Sequence, residues 1–267
     1  DNLGRKMSKQ LGNSPDPIGL IEKYGADGVR MGMLLAAPAG NDILFDESLC
    51  GQGAAFCNKI WNAFRLVKGW EISDDIAQPE HSAKAIEWMQ AQLRTYVAEI
   101  NDLYSKYRLN EALMAMFKLF TDEFSGWYLE IIKPAYGQPI DKATYEKTIQ
   151  FMDTMLKLLH PFMPFITEEL WQNIKERKDG ESIMVQSTKE LAAECDEAFL
   201  GKIAIMKDVI GGVRATRQQK NLSPREPLAL QIIGESPVAG LECVMTKMAN
   251  LLKYMLKLDI KNMKILI

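Results

Sequence analysis

From Gly51 to about Lys178 the apolar residues of this chain recur every three or four positions, and that period commits most of its length to amphipathic helices. Phe56, Ile60, Phe64 and Val67 mark a first stripe, with Gly69 as its stop. Ser82 opens a second, through Ile86, Met89, Leu93, Val97, Ile100 and Tyr104. Asn110 is the predicted N-cap of a third, carrying Leu113, Phe117, Phe120, Phe124, Trp127 and Ile131 and closed by Pro134. Asp141 caps a fourth, with Tyr145, Met152, Leu156 and Leu159, which Pro161 and Pro164 break. A shorter helix follows on Ile166, Leu170, Trp171 and Ile174. Long amphipathic helices with short connections predict a mainly α protein built around an antiparallel bundle.

Beyond Lys178 the pattern changes. Ser182–Gln186 alternates and predicts a short strand, and Phe199, Ile203, Met206, Ile210 and Val213 mark another helix. A strand at Leu228–Ile233, a helix near Pro237–Asn250 and an extended end at Leu258–Ile267 complete a small C-terminal α+β module. The expected organisation is a leading segment at 1–47, a bundle at 48–196 and the module at 197–267. The chain begins at Asp1 instead of a methionine, which reads as a piece of a longer protein.

Composition narrows the chemistry. With 47% hydrophobic and 25% charged residues, the chain is too apolar to be disordered. No apolar run approaches the ~18 residues of a membrane span, and the polar start DNLGRKMSKQ has no signal-peptide core. Cys50, Cys57, Cys195 and Cys243 form no CxxC pair, so a zinc site within the chain is not expected and the thiols suit a reducing cytoplasm. His81 and His160 are the only histidines, which leaves little for nucleophilic catalysis.

The front of the chain carries the chemistry. Lys6, Met7, Ser8 and Lys9 stand between Gly4 and Gly12, two lysines on a glycine-flanked loop. Ammonium groups placed so can follow charge that builds on a phosphate during a reaction. A bare K-M-S-K is equally readable as a solvated basic loop. The context decides: GRKMSKQLGNSPDP followed by IEKYGADGVRMGML resembles the KMSKS loop of class I aminoacyl-tRNA synthetases and the helix behind it. Gln10 stands where that signature has serine, removing one hydroxyl but neither lysine. GNDILFDE, FCNKIWNAFRLV, DEFSGWYLEIIKP, LLHPFMPFITEELWQNI, SIMVQS and RQQKNLSPREPL are similar to the anticodon-binding region of the valyl branch, with the isoleucyl branch next.

That resemblance implies a part of a ligase that activates valine with ATP, with Mg2+ expected in the full enzyme, and transfers it to tRNA-Val, working as a cytoplasmic monomer without membrane contact. It implies that Lys9 neutralises charge on the ATP phosphates, that Lys6 assists, and that Met7 and Ser8 set the loop's conformation. No HIGH-type histidine signature is present, so the chain alone is expected to be inactive and to bind no cofactor by itself, with the Rossmann half and editing domain upstream and a coiled-coil arm downstream. Lys59, Trp61, Asn62, Arg65 and Lys68 fall largely off the first stripe, where exposed basic and aromatic groups suit single-stranded bases and phosphates. Lys202, Lys207, Arg214, Arg217, Lys220 and Arg225 face only Asp208 and Glu226 in that stretch, a local positive excess in a chain of net charge -3. Arg214, Arg217 and Lys220 are its expected tRNA contacts. The competing class is a helical RNA-binding or scaffold protein without catalysis.

Overall fold

The computed structural model describes residues 1, 3–37, 40, 42–187, 197–222 and 240–251. They fall into two compact units. The first comprises 1–71, 92–125 and 145–191, and the second 72–91, 126–144 and 192–267.

In the first unit Asp16 opens α1 (Pro17–Tyr24) by accepting from the amides of Ile18 and Gly19, with Pro17 at the first helical position. Gly25 separates it from α2 (Ala26–Leu35). Asp46 then caps α3 (Glu47–Lys68), which ends at Gly69 as its spacing predicts. The α2–α3 crossing is tight enough to bring backbone onto backbone: a Cβ at Gly53 would stand 2.4 Å from the carbonyl oxygen of Gly28. Phe56, Ile60, Ala63, Phe64 and Val67 form the buried face of α3. The Phe56 ring meets Phe117 at 4.9 Å and Phe120 edge-on at 5.8 Å. The C-terminal part of α4 (Glu80–Ser105) adds Leu93 and Ile100, and α7 (Lys142–Leu159) adds Phe151, Met155, Leu156 and Leu159. Leu170, Trp171 and Ile174 come from α8 (Pro164–Ile174). Arg30 of α2 donates to the carbonyls of Phe162 and Pro161 in the turn before α8.

The start of α8 has no cap from its own chain neighbour Met163, and Asp27 of α2 supplies it. Its carboxylate accepts from Ile166 N at 2.7 Å and Phe165 N at 3.4 Å. Burial pushes the Asp27 carboxyl above its usual 3.8, although those amides and the nearby Arg30 and His160 pull it down. A carboxyl with a raised folded pKa contributes most below its unfolded value, and that contribution is lost as pH rises through the folded one. Asp27→Asn keeps an oxygen on the helix and does not titrate. The stability of the natural chain relative to this variant is therefore expected to fall as pH rises from below 3.8, as read by urea unfolding across pH.

The second unit holds the start of α4, with Ala85, Trp88 and Met89 buried. Its two-residue strands, β1 (Ile72–Ser73) and β2 (Ile140–Asp141), pair in parallel. Asp141 accepts from the amide of Thr144 at 2.8 Å, the expected cap of α7. The short α6 (Leu129–Ile132) precedes Pro134, and α9 (Glu197–Gln219) buries Phe199, Ile203, Met206 and Ile210. In α10 (Glu242–Leu251) Lys247 donates to the carbonyl of Lys133 at 2.9 Å.

The mainly α class stands, but several local expectations do not. The third helix is α5 (Leu109–Lys118), then a π-helical stretch Leu119–Tyr128, then α6. The wider turn suits its four-residue rhythm, since Phe120, Phe124 and Tyr128 are all buried. Asn110 is not the cap: the helix starts at Leu109, and the Asn110 amide reaches the carbonyl of Leu35. Ser182–Gln186 is not a strand but a 3-10 turn, Ile183–Val185. Glu168 of α8 accepts from both the Ser182 hydroxyl and the Ile183 amide, so this backbone is held by a side chain and not by a neighbouring strand. Val185, which a strand would set on the same face as the buried Ile183, is exposed. The strands expected at Leu228–Ile233 and Leu258–Ile267, with Cys195 and Arg225, lie outside the described residues, as does the start of the helix expected from Pro237.

Candidate functional site

The loop of the two lysines is fixed at its backbone and free at its charges. Ser8 accepts from Gln10 N at 3.2 Å and so opens a single 3-10 turn, Lys9–Leu11. Gly12 closes that turn with its amide on the Lys9 carbonyl at 3.2 Å, in a left-handed conformation (φ 63°) that glycine adopts without steric cost. Asn13 reaches back across the loop: Ser8 N donates to its Oδ1 at 2.9 Å, and its Nδ2 donates to the Lys6 carbonyl at 3.2 Å. Met7 is half-buried against the cluster of Leu20, Phe45 and Cys50. Lys6 and Lys9 are exposed. Arg5 is engaged with Asp1 at 2.7 Å. The result is two solvated ammonium groups on a loop whose path is set by one apolar anchor and one carboxamide.

The first basic face lies on α3. Lys59, Asn62, Arg65 and Lys68 are exposed on the half of the helix opposite its core stripe. Lys68 donates to the Ile174 carbonyl at 3.4 Å, so it stays near the end of α8. Trp61 is 40% exposed and leans on Phe64, its ring centre 6.0 Å away. The indole is therefore partly open to solvent. Leu66, at 42% exposure, is an apolar member of this face that charge-based reading passes over.

The second basic face belongs to α9, in the second unit. Arg214 is exposed, with its guanidinium 5.2 Å from the centre of the Trp127 ring. Lys207 sits between Trp88 at 5.1 Å and Trp127 at 5.5 Å. Lys220, just past the helix, is exposed. Arg217 departs from expectation: at 5% exposure its side chain is part of the interior, because it follows Ile203, Met206 and Ile210 around the inward face of α9. It is withdrawn from the surface set. The aromatic cradle of Lys207 and Arg214 was not visible in the sequence, since Trp88 and Trp127 lie far from them along the chain.

Among the described residues, no group of three or more acidic, histidine or cysteine side chains could hold a metal ion, and no helix is long and apolar enough to cross a membrane. His160 bonds Thr167 Oγ1 at 2.8 Å at the start of α8. Burial lifts the Cys57 thiol to about 12, which keeps it protonated and unreactive at neutral pH.

Comparison with known proteins bears on these features. The family model described as the anticodon-binding domain of tRNA ligase matches residues 87–232, and that of class I tRNA synthetases (I, L, M and V) matches residues 1–46. A valine–tRNA ligase of Phocaeicola vulgatus is 65% identical over 94% of this chain, and one of Parabacteroides distasonis is 62% identical over the same share. A more distant one, from Fusobacterium nucleatum, is 36% identical over 94% of the chain. The chain spans 28% of the length of the first two. Among solved structures, a LeuRS of Agrobacterium radiobacter in a ternary complex with tRNA and LeuAMS superposes with a TM-score of 0.50 at 21% identity, over 75% of this chain and 24% of that one. The match over more than half of the chain places it: the chain belongs to the family of tRNA-ligase anticodon-binding domains, with its first 46 residues matching the class I tRNA synthetases.

Proposed function

We propose that this chain serves a valine–tRNA ligase, supplying the loop that stabilises the ATP phosphates and the surface that holds the anticodon arm of tRNA-Val. In this reading 1–47 is the loop and connecting segment of the catalytic domain, 48–196 the anticodon-binding bundle, and 197–267 a small accessory module. The observation that carries it is the pairing of two exposed lysines on a braced loop with an exposed basic and aromatic half of α3. Residues matching class I synthetases hold the first, and the second lies on α3, between that match and the match to the anticodon-binding domain. The names of the relatives favour valine over isoleucine as the amino acid.

Lys9 and Lys6 act as flexible point charges on the polyphosphate, strongest where negative charge gathers as pyrophosphate leaves. Mg2+ enters with ATP and is not assigned to ligands in this chain. Lys59, Arg65 and Lys68 address tRNA phosphates, Asn62 offers a bond to a base edge, and Trp61 offers a stacking face. Arg214 and Lys220 give a second, sequence-independent contact. The working localisation is the cytoplasm, as a monomer.

The test is binding of this chain to tRNA-Val and to the same tRNA with a changed anticodon. Binding is expected to be weak, to favour the natural anticodon, and to fall about tenfold or more between ~50 and ~200 mM salt if a few phosphates are contacted. Trp61→Ala is expected to cost about 1–3 kcal/mol of binding. Circular dichroism separates that loss from unfolding, because the ring also leans on Phe64. Equal affinity for both tRNAs in a folded chain would refute the anticodon assignment.

A further inference from the structure

We infer that Asn13 is the positioning residue of the lysine loop: its carboxamide clasps the backbone on both sides of Met7 and so sets where Lys6 and Lys9 stand relative to each other. This rests on the phosphate role of the two lysines given above. A lysine side chain has several rotatable bonds, so the fold cannot aim an exposed ammonium through the side chain itself. What it can fix is the backbone from which each one springs. Of the backbone polar groups between Lys6 and Lys9, the carbonyl of Lys6 and the amide of Ser8 flank Met7, and one planar side chain takes both. Asn13 Oδ1 accepts from Ser8 N at 2.9 Å while Nδ2 donates to Lys6 O at 3.2 Å. The second Nδ2 hydrogen goes to Asp1 at 3.1 Å, and Asp1 also accepts from Arg5 N at 2.9 Å, so the approach to the loop is held by the same group.

Only a carboxamide meets this demand, because it pairs an acceptor with two donors in one plane. Aspartate would accept from Ser8 but could not donate to Lys6 O. The remaining contacts do not replace the clasp. The Ser8 hydroxyl and Gly12 amide bonds hold the turn of Lys9 alone, and Met7 anchors the loop without fixing its twist. Without Asn13 each lysine keeps its charge and loses its registration to the other. The clasp therefore matters to the rate of activation and not to the binding of amino acid.

The test uses the full-length ligase and follows valine-dependent pyrophosphate–ATP exchange. Asn13→Ala is expected to lower kcat about 10- to 100-fold, the scale of a displaced reacting group, with KM for valine unchanged. Asn13→Asp, which keeps the bond from Ser8 but sets a carboxylate oxygen against the Lys6 carbonyl and the Asp1 carboxylate, is expected not to restore the rate. On a Lys9→Ala background, Asn13→Ala is expected to cost under about threefold, because the lysine it positions is gone. The same loss on both backgrounds would make Asn13 an independent or merely structural group and overturn the inference. So would a fall in melting temperature that accounts for the lost activity. If Lys9→Ala slows activation while Asn13→Ala does not, the inference fails and the role of the loop stands. If Lys9→Ala itself is silent, the phosphate role fails and the clasp with it.

Discussion

Gly53→Ala is expected to lower the melting temperature of this chain by about 2–8 °C, because the added methyl has nowhere to go. Its Cβ would stand 2.4 Å from the Gly28 carbonyl oxygen and 2.9 Å from Gly28 Cα, both backbone atoms that no rotamer change can move. The crossing is tight in both directions, since a Cβ at Gly32 would meet the backbone of Cys50 at 2.6 Å. To admit the methyl, α2 and α3 must separate. The separation would draw Asp27 away from the amides at the start of α8. Overpacking of this kind costs about 1–3 kcal/mol and can exceed that, against roughly 1 kcal/mol of gain from the better helix propensity of alanine. Gly51→Ala, two residues earlier on the same helix, is the control. Its Cβ would meet only the edge of the Tyr24 ring at 3.6 Å, an ordinary contact, so propensity should win and stability should rise slightly. A matched fall in both variants would show that α3 dislikes alanine there for a reason unrelated to the crossing.

The same crossing shows where sequence reading stops. The stripe Phe56, Ile60, Phe64 and Val67 gave α3 its core face and its end at Gly69, because helical spacing and a glycine stop are local properties. Gly53 lies on the same buried side but has no side chain to count, so the contact that fixes α2 against α3 carries no hydrophobic signal. Trp127 lies on the stripe read for its helix and Trp88 does not, and nothing in their spacing says that Lys207 comes to rest between them. The π-helical turn through Phe124 is another tertiary choice. Aromatics four residues apart satisfy a regular helix nearly as well, and only burial of the whole set decides. Ser182–Gln186 failed as a strand for want of a neighbour, which alternation cannot reveal. At the front of the chain, Lys6 and Lys9 were legible as a motif. The Asn13 clasp was not, because it joins a side chain to backbone atoms five and seven residues away.

In the full-length ligase, Lys9→Ala is expected to slow valine activation by about 10²–10³, the usual cost of removing one preorganised charge from a transition state. The size follows from where charge changes. In the ground state the ATP phosphates are solvated, and an exposed ammonium adds little to binding. As the bond to the leaving pyrophosphate breaks, negative charge grows on oxygens that water can no longer fully surround. Lys9 is exposed, and its backbone is held by the Ser8 cap and the Gly12 closure, so it can reach those oxygens without a large cost in chain ordering. Affinity for valine should be nearly unchanged, because the ammonium addresses phosphate and not the amino acid. Lys9→Arg keeps the charge but replaces a compact donor with a planar fork, and should recover only part of the rate. Lys6→Ala should cost less than Lys9→Ala, in keeping with an assisting role. The measurement is pre-steady-state formation of the adenylate, which isolates activation from transfer to tRNA. An unchanged rate for Lys9→Ala would return the loop to the reading of a solvated basic turn, with only the basic and aromatic face of α3 left to carry the proposed function.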